Sequence, residues 1–158
     1  MSLQLKRSIV PDATREKTVA ILQGCLVDLL DLALQGKQAH WNLLGTRFRS
    51  VHLQLDEIID AARMASDEVA ERIVTLGRAA DGRAAEIAGS TRLEKFPGGL
   101  LSVDDAISHY SDRLAKTIEG LRSGISQLGE LDPISEDLLI GISAGLEKHL
   151  WMMQAQEV

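Results

Sequence analysis

FRSVHLQLDEIIDAARMASDEVAERIVTLG, Phe48 to Gly77, carries the period of one long helix. Val51, Leu55, Ile58, Ile59 and Ala62, then Val69, Ile73 and Leu76, recur at three- and four-residue steps, the spacing of a packed helix face. Gly77 stands at the C′ position that would stop such a helix. The polar residues make a second pattern. His52 and Asp56 form one i,i+4 pair, and Asp67 and Glu71 form another. At ~100° per residue, the four directions fall within an arc of roughly 100°. One face therefore presents imidazole and carboxylates, the donor mix suited to a borderline transition metal such as Fe(II) or Zn(II). The spacing also sets a limit. Asp56 and Asp67 lie ~16 Å apart along a helix at 1.5 Å rise per residue, while metal–ligand bonds are only ~2 Å long. One ion cannot bind both pairs of one chain. Either these are two separate features, or two chains meet so that one supplies His and Asp and the other Asp and Glu.

Outward from this stretch, three further helices are expected. Asp12 can cap a first helix running to about Leu44 and stopping at Gly45. Its middle, VAILQGCLVDLLDLALQG, is apolar around most of its circumference, as in a helix buried on more than one side, against its own core and against another subunit. Ser102 followed by Asp104 and Asp105 predicts a helix from Val103 to about Leu128. Asp132-Pro133 starts the last one, which runs to near Gln156. Between Gly77 and Gly99 the pattern weakens. Ala84 to Ala88 suits a short helix, and Pro97-Gly98-Gly99 a turn. Two short joints and one long crossover, between the second and third long helices, give an all-α four-helix bundle of ferritin-type layout. Residues 1–11 are expected to form a short flexible tail and residues 12–158 the bundle.

Composition agrees with one domain. The chain has 158 residues, 45% apolar and 25% charged, with few breakers (three Pro) and only 3% aromatic residues. A formal net charge of −6 disfavours nucleic acid or an anionic membrane as a partner of the surface as a whole. Cys25 is the one cysteine, so no intrachain disulfide can form, and its apolar setting suggests a buried thiol. The N-terminus lacks the apolar core of a signal peptide. The most apolar stretch, Val19 to Leu34, is interrupted by Gln23, Asp28 and Asp31 and is too short and too charged to span a membrane. A cytoplasmic location is the default, with nucleoid association as an alternative.

A di-iron bundle that builds its site within one subunit needs two Glu-x-x-His motifs, and this sequence has none. Glu147 and His149 are two apart and point to different sides of a helix. His109 and His149 are taken as structural. Two copies of the second helix meeting antiparallel across a two-fold axis would bring His52 and Asp56 of one chain beside Asp67 and Glu71 of the other. Such an interface is isologous and would form two equivalent sites. His40, at the end of the first helix, would come in beside His52. Each pair taken alone also fits a solvated helix surface, and His40 beside Trp41 also fits a half-buried structural role.

KQAHWNLLGTRFRSVHLQLDEIIDAARMASDEVAERIVTLG, Lys37 to Gly77, closely resembles the Dps mini-ferritins, the DNA-binding proteins from starved cells. The family pattern is a His-Trp pair, a second His, an Asp, then Asp-x3-Glu. Here these are His40-Trp41, His52, Asp56, Asp67 and Glu71, with none missing, and Leu150-Trp151 resembles the family's closing helix. The resemblance implies a dodecameric shell of tetrahedral symmetry with ferroxidase sites at the dimer interfaces. Fe(II) would be oxidised there by hydrogen peroxide, or by oxygen, and ferric mineral stored in the cavity, with Zn able to substitute at the site. It implies His40, His52 and Asp56 of one chain, with Asp67 and Glu71 of its partner, as iron ligands. Trp41 would be a nearby electron donor, or else a residue packed at the interface. Acid-lined three-fold pores are also implied, and the cluster Glu130, Asp132, Glu136 and Asp137 is the candidate, Asp132 and Asp137 foremost. Plain helix N-terminal acid is the competing explanation. DNA-binding members commonly carry Lys/Arg-rich tails. Here the first eleven residues hold only Lys6 and Arg7, and the C-terminal WMMQAQEV has no basic residue. Strong DNA binding near physiological salt is therefore not expected, and a DNA-coating nucleoid protein is the alternative function.

Overall fold

Four stretches with a continuous apolar face, each bounded by stop signals, become four long helices in a computed structural model that describes residues 5–157. They are α1, Asp12–Asn42; α2, Phe48–Thr75; α4, Val103–Leu128; and α5, Pro133–Gln154. The crossover carries α3, Ala84–Ser90, and two-residue strands β1, Leu43–Leu44, and β2, Leu101–Ser102, flank the bundle end. The first four residues of the expected tail lie outside the described residues, as does Val158.

The core follows the sequence periods. Val51, Leu55, Ile58, Ile59, Ala62, Val69 and Ile73 of α2 are fully buried. α1 packs along α2, α4 along α5, and α1 also packs across to α4. At Gly36 the helices approach so closely that an added Cβ would lie 2.7 Å from Ile59 Cγ1 and from the Tyr110 hydroxyl. By length and composition part of α1 is apolar enough to cross a membrane, but 56% of that stretch is buried inside the protein. Its apolar character is thus spent largely on the bundle core.

Capping follows the sequence at three ends. Ser102 Oγ accepts from the Asp105 amide at 3.0 Å and starts α4. Asp132 occupies the N-cap position of α5 and Pro133 its first helical position. α2 ends in a Schellman turn, with Gly77 at φ +87°, its amide donating to Val74 and the Arg78 amide to Ile73. α1 differs at both ends. Pro11, not Asp12, holds its N-cap position, and the Asp12 carboxylate pairs with Arg15 one turn on. Its C-terminus is Asn42, two residues short of the expected Leu44. There the chain leaves the helix so that Leu43 and Leu44 can pair in parallel with Leu101 and Ser102. That pairing places the end of α1 and the start of α4 together, so α2 and α4 begin at the same end of the bundle, as the long crossover requires.

The crossover is anchored by the acids that interrupt the apolar run of α1. Asp28, 1% exposed, accepts from the Arg92 amide at 3.0 Å and from its guanidinium at 2.7 Å. Asp31 accepts from Thr91 Oγ1 at 2.6 Å, and the Gln23 side chain exchanges two hydrogen bonds with the Asp81 backbone. Arg113, itself buried, donates to the carbonyls of Glu94 and Lys95 and lies over the Phe96 ring.

Cys25 sits under this anchored segment, 2% exposed. Burial, above all, pushes its thiol up to about 11, against the opposing charge of Arg92. The thiolate is the reactive form. The folded protein at pH 7.5 should therefore leave Cys25 unmodified by a disulfide reagent for hours, and denaturant should release one reactive thiol per chain. Rapid labelling of the native protein would contradict this burial.

Candidate metal centre

The last turn of α1 and the first turns of α2 meet at two histidines. The His40 and His52 rings stack with centroids 3.6 Å apart and planes 20° from parallel. Each ring also bonds the other's backbone: His40 Nδ1–H donates to the His52 carbonyl and His52 Nδ1–H to the His40 carbonyl, both at 2.9 Å. A carbonyl oxygen only accepts, so both protons reside on Nδ1. In the neutral ring each Nε2 then carries the lone pair, the form in which histidine binds a metal. The His40 carbonyl lies in the final turn of α1, where no intrahelical amide is available to it. His52 fills that vacancy. Phe48, one turn earlier on α2, tilts against the His52 ring at 5.0 Å.

Asp56 lies beside this pair. Its Oδ1 is 3.3 Å from His40 Nδ1 and 2.5 Å from Lys37 Nζ. The hydrogen bond from Lys37, chiefly, holds the Asp56 carboxyl below the ordinary carboxylate range, with desolvation opposing and the Lys37 charge assisting. Lys37 is absent from the sequence-derived set. Its signal was there to use, since it lies three residues before His40 and so on the same side of α1.

Asp67 and Glu71 lie further along α2, both exposed. Among the described residues, no three His, Cys, Asp or Glu side chains are gathered closely enough to hold a metal ion. One chain thus places His40 against both His52 and Asp56 at a polar corner without closing the three on a common metal position, and leaves Asp67 and Glu71 apart from them. Trp41, next to His40, is 69% exposed, with its indole outside the core of its own subunit.

The acidic cluster at the start of α5 is divided. Glu130 and Asp137 are exposed and Glu136 is half-buried. Asp132, a candidate pore residue by sequence, is turned inward and 4% exposed in the single chain. Arg72 Nη2 donates to its Oδ2 at 2.7 Å, Arg72 Nε donates to Ser135 Oγ at 2.9 Å, and the Ser135 hydroxyl donates to the same carboxylate. A carboxylate neutralised and enclosed in this way does not attract cations from solvent. The sequence showed the cap position of Asp132 but not Arg72, which reaches it from sixty residues away. Of the remaining histidines, His109 packs edge-on against Phe96, and burial lowers the His149 imidazole, which faces the cleft between α2 and α5.

Residues 19–157 match the family model described as a ferritin-like domain. The DNA protection during starvation protein of Agrobacterium fabrum is 31% identical over 156 residues, covering 98% of this chain and 96% of the relative. The chain belongs to the Dps family of ferritin-like proteins. A solved structure of Mycobacterium smegmatis Dps, in a tetragonal form, superposes on this Dps chain with a TM-score of 0.91 at 31% identity, covering 98% of this chain and 93% of that one. The fine tangled pili major subunit of Haemophilus ducreyi is 37% identical over 143 residues, covering 90% of this chain and 76% of the relative.

The Arg72–Asp132 pair has a measurable consequence. Burial pushes the Asp132 carboxyl up, but the hydrogen bonds from Arg72 and Ser135 and the guanidinium charge outweigh it, and the net shift is downward from 3.8. A lowered folded-state value means that the pair's contribution is fully present above the unfolded value and is lost as pH falls through the folded one. Arg72→Met should therefore cost about 3 kcal/mol near neutral pH by leaving a buried carboxylate unpaired. In thermal unfolding between pH 7 and pH 3, the gap to wild type should narrow toward the acid end. A gap that stays constant or widens would refute this account.

Proposed function

We propose that this Dps chain is the subunit of a dodecameric shell that oxidises Fe(II) at sites shared between two subunits and stores the ferric product inside. The observation that carries the reading is the half-site. His40 meets His52 and Asp56 at one corner, with the Nε2 lone pairs free in the neutral rings, while Asp67 and Glu71 stand exposed on α2, ~16 Å further along by helix rise. An antiparallel copy of α2 across a two-fold axis offers each half-site the carboxylates it lacks. The donor set fits the metal, since imidazole retains Fe(II) and carboxylates suit both oxidation states.

Iron is the substrate. Hydrogen peroxide takes one electron from each of two ferrous ions, its O–O bond breaks, and both oxygens leave as oxide or hydroxide without releasing hydroxyl radical. Hydrolysis of the ferric ions to oxyhydroxide releases protons, and the product collects in the cavity. Oxygen is the alternative oxidant, and Zn(II) fits the same donors without redox chemistry. The exposed Trp41 indole, next in sequence to His40, serves as a one-electron donor to stray oxidant. Asp137 remains the acid for the entry pore. The Agrobacterium fabrum relative is named for DNA protection during starvation, and here that protection would come from consuming Fe(II) and peroxide together. A cytoplasmic site of action fits this role. Direct coating of DNA is the weaker alternative, because the chain carries a net charge of −6 and only Lys6 and Arg7 as cations among its first eleven residues.

Anaerobic Fe(II) mixed with purified protein and peroxide should give ferric absorbance much faster than buffer does. The double variant His52→Ala, Asp56→Asn should lose at least ~100-fold in initial rate, more than 2.7 kcal/mol of the barrier at 1.36 kcal/mol per tenfold, while eluting as a shell of unchanged size. Rapid oxidation by the double variant, or none by the parent, would sink the ferroxidase reading.

A further inference from the structure

Lys37 places a charge inside the half-site. Its side chain is only 23% exposed, and its ammonium rests on Asp56 Oδ1, the same oxygen that lies 3.3 Å from His40 Nδ1. The Asp56 carboxylate thus already holds a cation, supplied by its own chain from one turn before His40. On the shared-site reading, the partner's carboxylates close on this corner at Asp56. Carboxylates gathered at a few ångströms repel one another, and one ammonium among them offsets part of that repulsion. The same ammonium stands where an incoming metal ion needs the carboxylate oxygen.

We propose that Lys37 is a tethered counter-cation, which occupies Asp56 in the metal-free protein and is displaced when a divalent ion binds; this inference rests on the shared-site reading above. The four-carbon stem gives the ammonium a path outward while the backbone of α1 stays fixed. Exchange of the ammonium for a monovalent ion brings no additional charge to the carboxylates, whereas exchange for a divalent ion does. Lys37 therefore lowers affinity for every metal while biasing the site toward divalent ones. It is a positioning and selectivity residue rather than a ligand.

Isothermal titration of the intact shell with Zn(II), which has no redox chemistry, reads this directly. Lys37→Gln should bind Zn(II) at the shared site roughly tenfold more tightly than wild type, since about one charge–charge interaction is removed. Metal-free Lys37→Gln should unfold at a lower temperature than metal-free wild type, and Zn(II) should close that gap. Lys37→Arg, which keeps the charge, should match wild type in affinity. Unchanged or weaker Zn(II) binding by Lys37→Gln would overturn the proposal, as would equal affinities of the Gln and Arg variants. The control is His52→Ala, Asp56→Asn. If that pair leaves wild-type Zn(II) binding intact, the shared site itself fails and the role of Lys37 falls with it. If the pair abolishes binding and Lys37→Gln changes nothing, only the counter-cation is wrong.

Discussion

Two crossed hydrogen bonds, from each of His40 and His52 to the other's backbone carbonyl, hold together the part of this Dps chain on which the rest depends. They close the elbow between α1 and α2, because the carbonyl that His52 occupies has lost its helical partner at the end of α1. The same bonds fix both imidazole tautomers. On the proposed function, one contact would meet both a structural need at a helix end and a chemical need at the metal site. Asp56 inherits its place from the elbow, since it sits one turn beyond His52 on the helix that the contact orients.

What the elbow builds is incomplete by design of the helix. Ligands eleven residues apart on a straight rod cannot converge, however the side chains rotate. On the shared-site proposal, such a subunit holds complementary fragments, and dimerisation would be a condition of the chemistry rather than an addition to it. The exposed indole of Trp41 and the exposed carboxylates of Asp67 and Glu71 are consistent with surfaces that a second copy would cover.

Most of the architecture was legible because it rests on local period. The four long helices, the short helix in the crossover and the Gly77 stop are set by spacing within a few residues, and they lie where the sequence placed them to within one or two residues. The differences arise where distant residues decide. Leu43 and Leu44 continue a helical pattern, but Leu101 and Ser102 draw them into a strand pair. Asp12 has the chemistry of a cap, yet Arg15 claims its carboxylate. Asp132 stands at the helix start that the sequence indicated, but its partner Arg72 belongs to another helix and was not visible there. Asp28 and Asp31 read as interruptions of an apolar run, whereas Arg92 and Thr91 make them anchors for the crossover. At the candidate metal centre, the meeting of His40, His52 and Asp56 at the end of α1 follows a register visible in the sequence. The Lys37–Asp56 contact was not legible, because periodicity shows which residues share a face but not which cation a carboxylate chooses.

The sealed thiol of Cys25 bears on how long such a subunit lasts. A protein proposed to meet peroxide at every turnover is exposed to its own oxidant, and a thiolate is the side-chain group most readily consumed by it. With its thiol buried and held to about 11, Cys25 offers almost no thiolate at neutral pH. The packing of α1 against α4 and the anchored crossover thus sets a chemical service life as well as a fold: the subunit's one thiol is kept out of the reaction mixture for as long as the core stays closed.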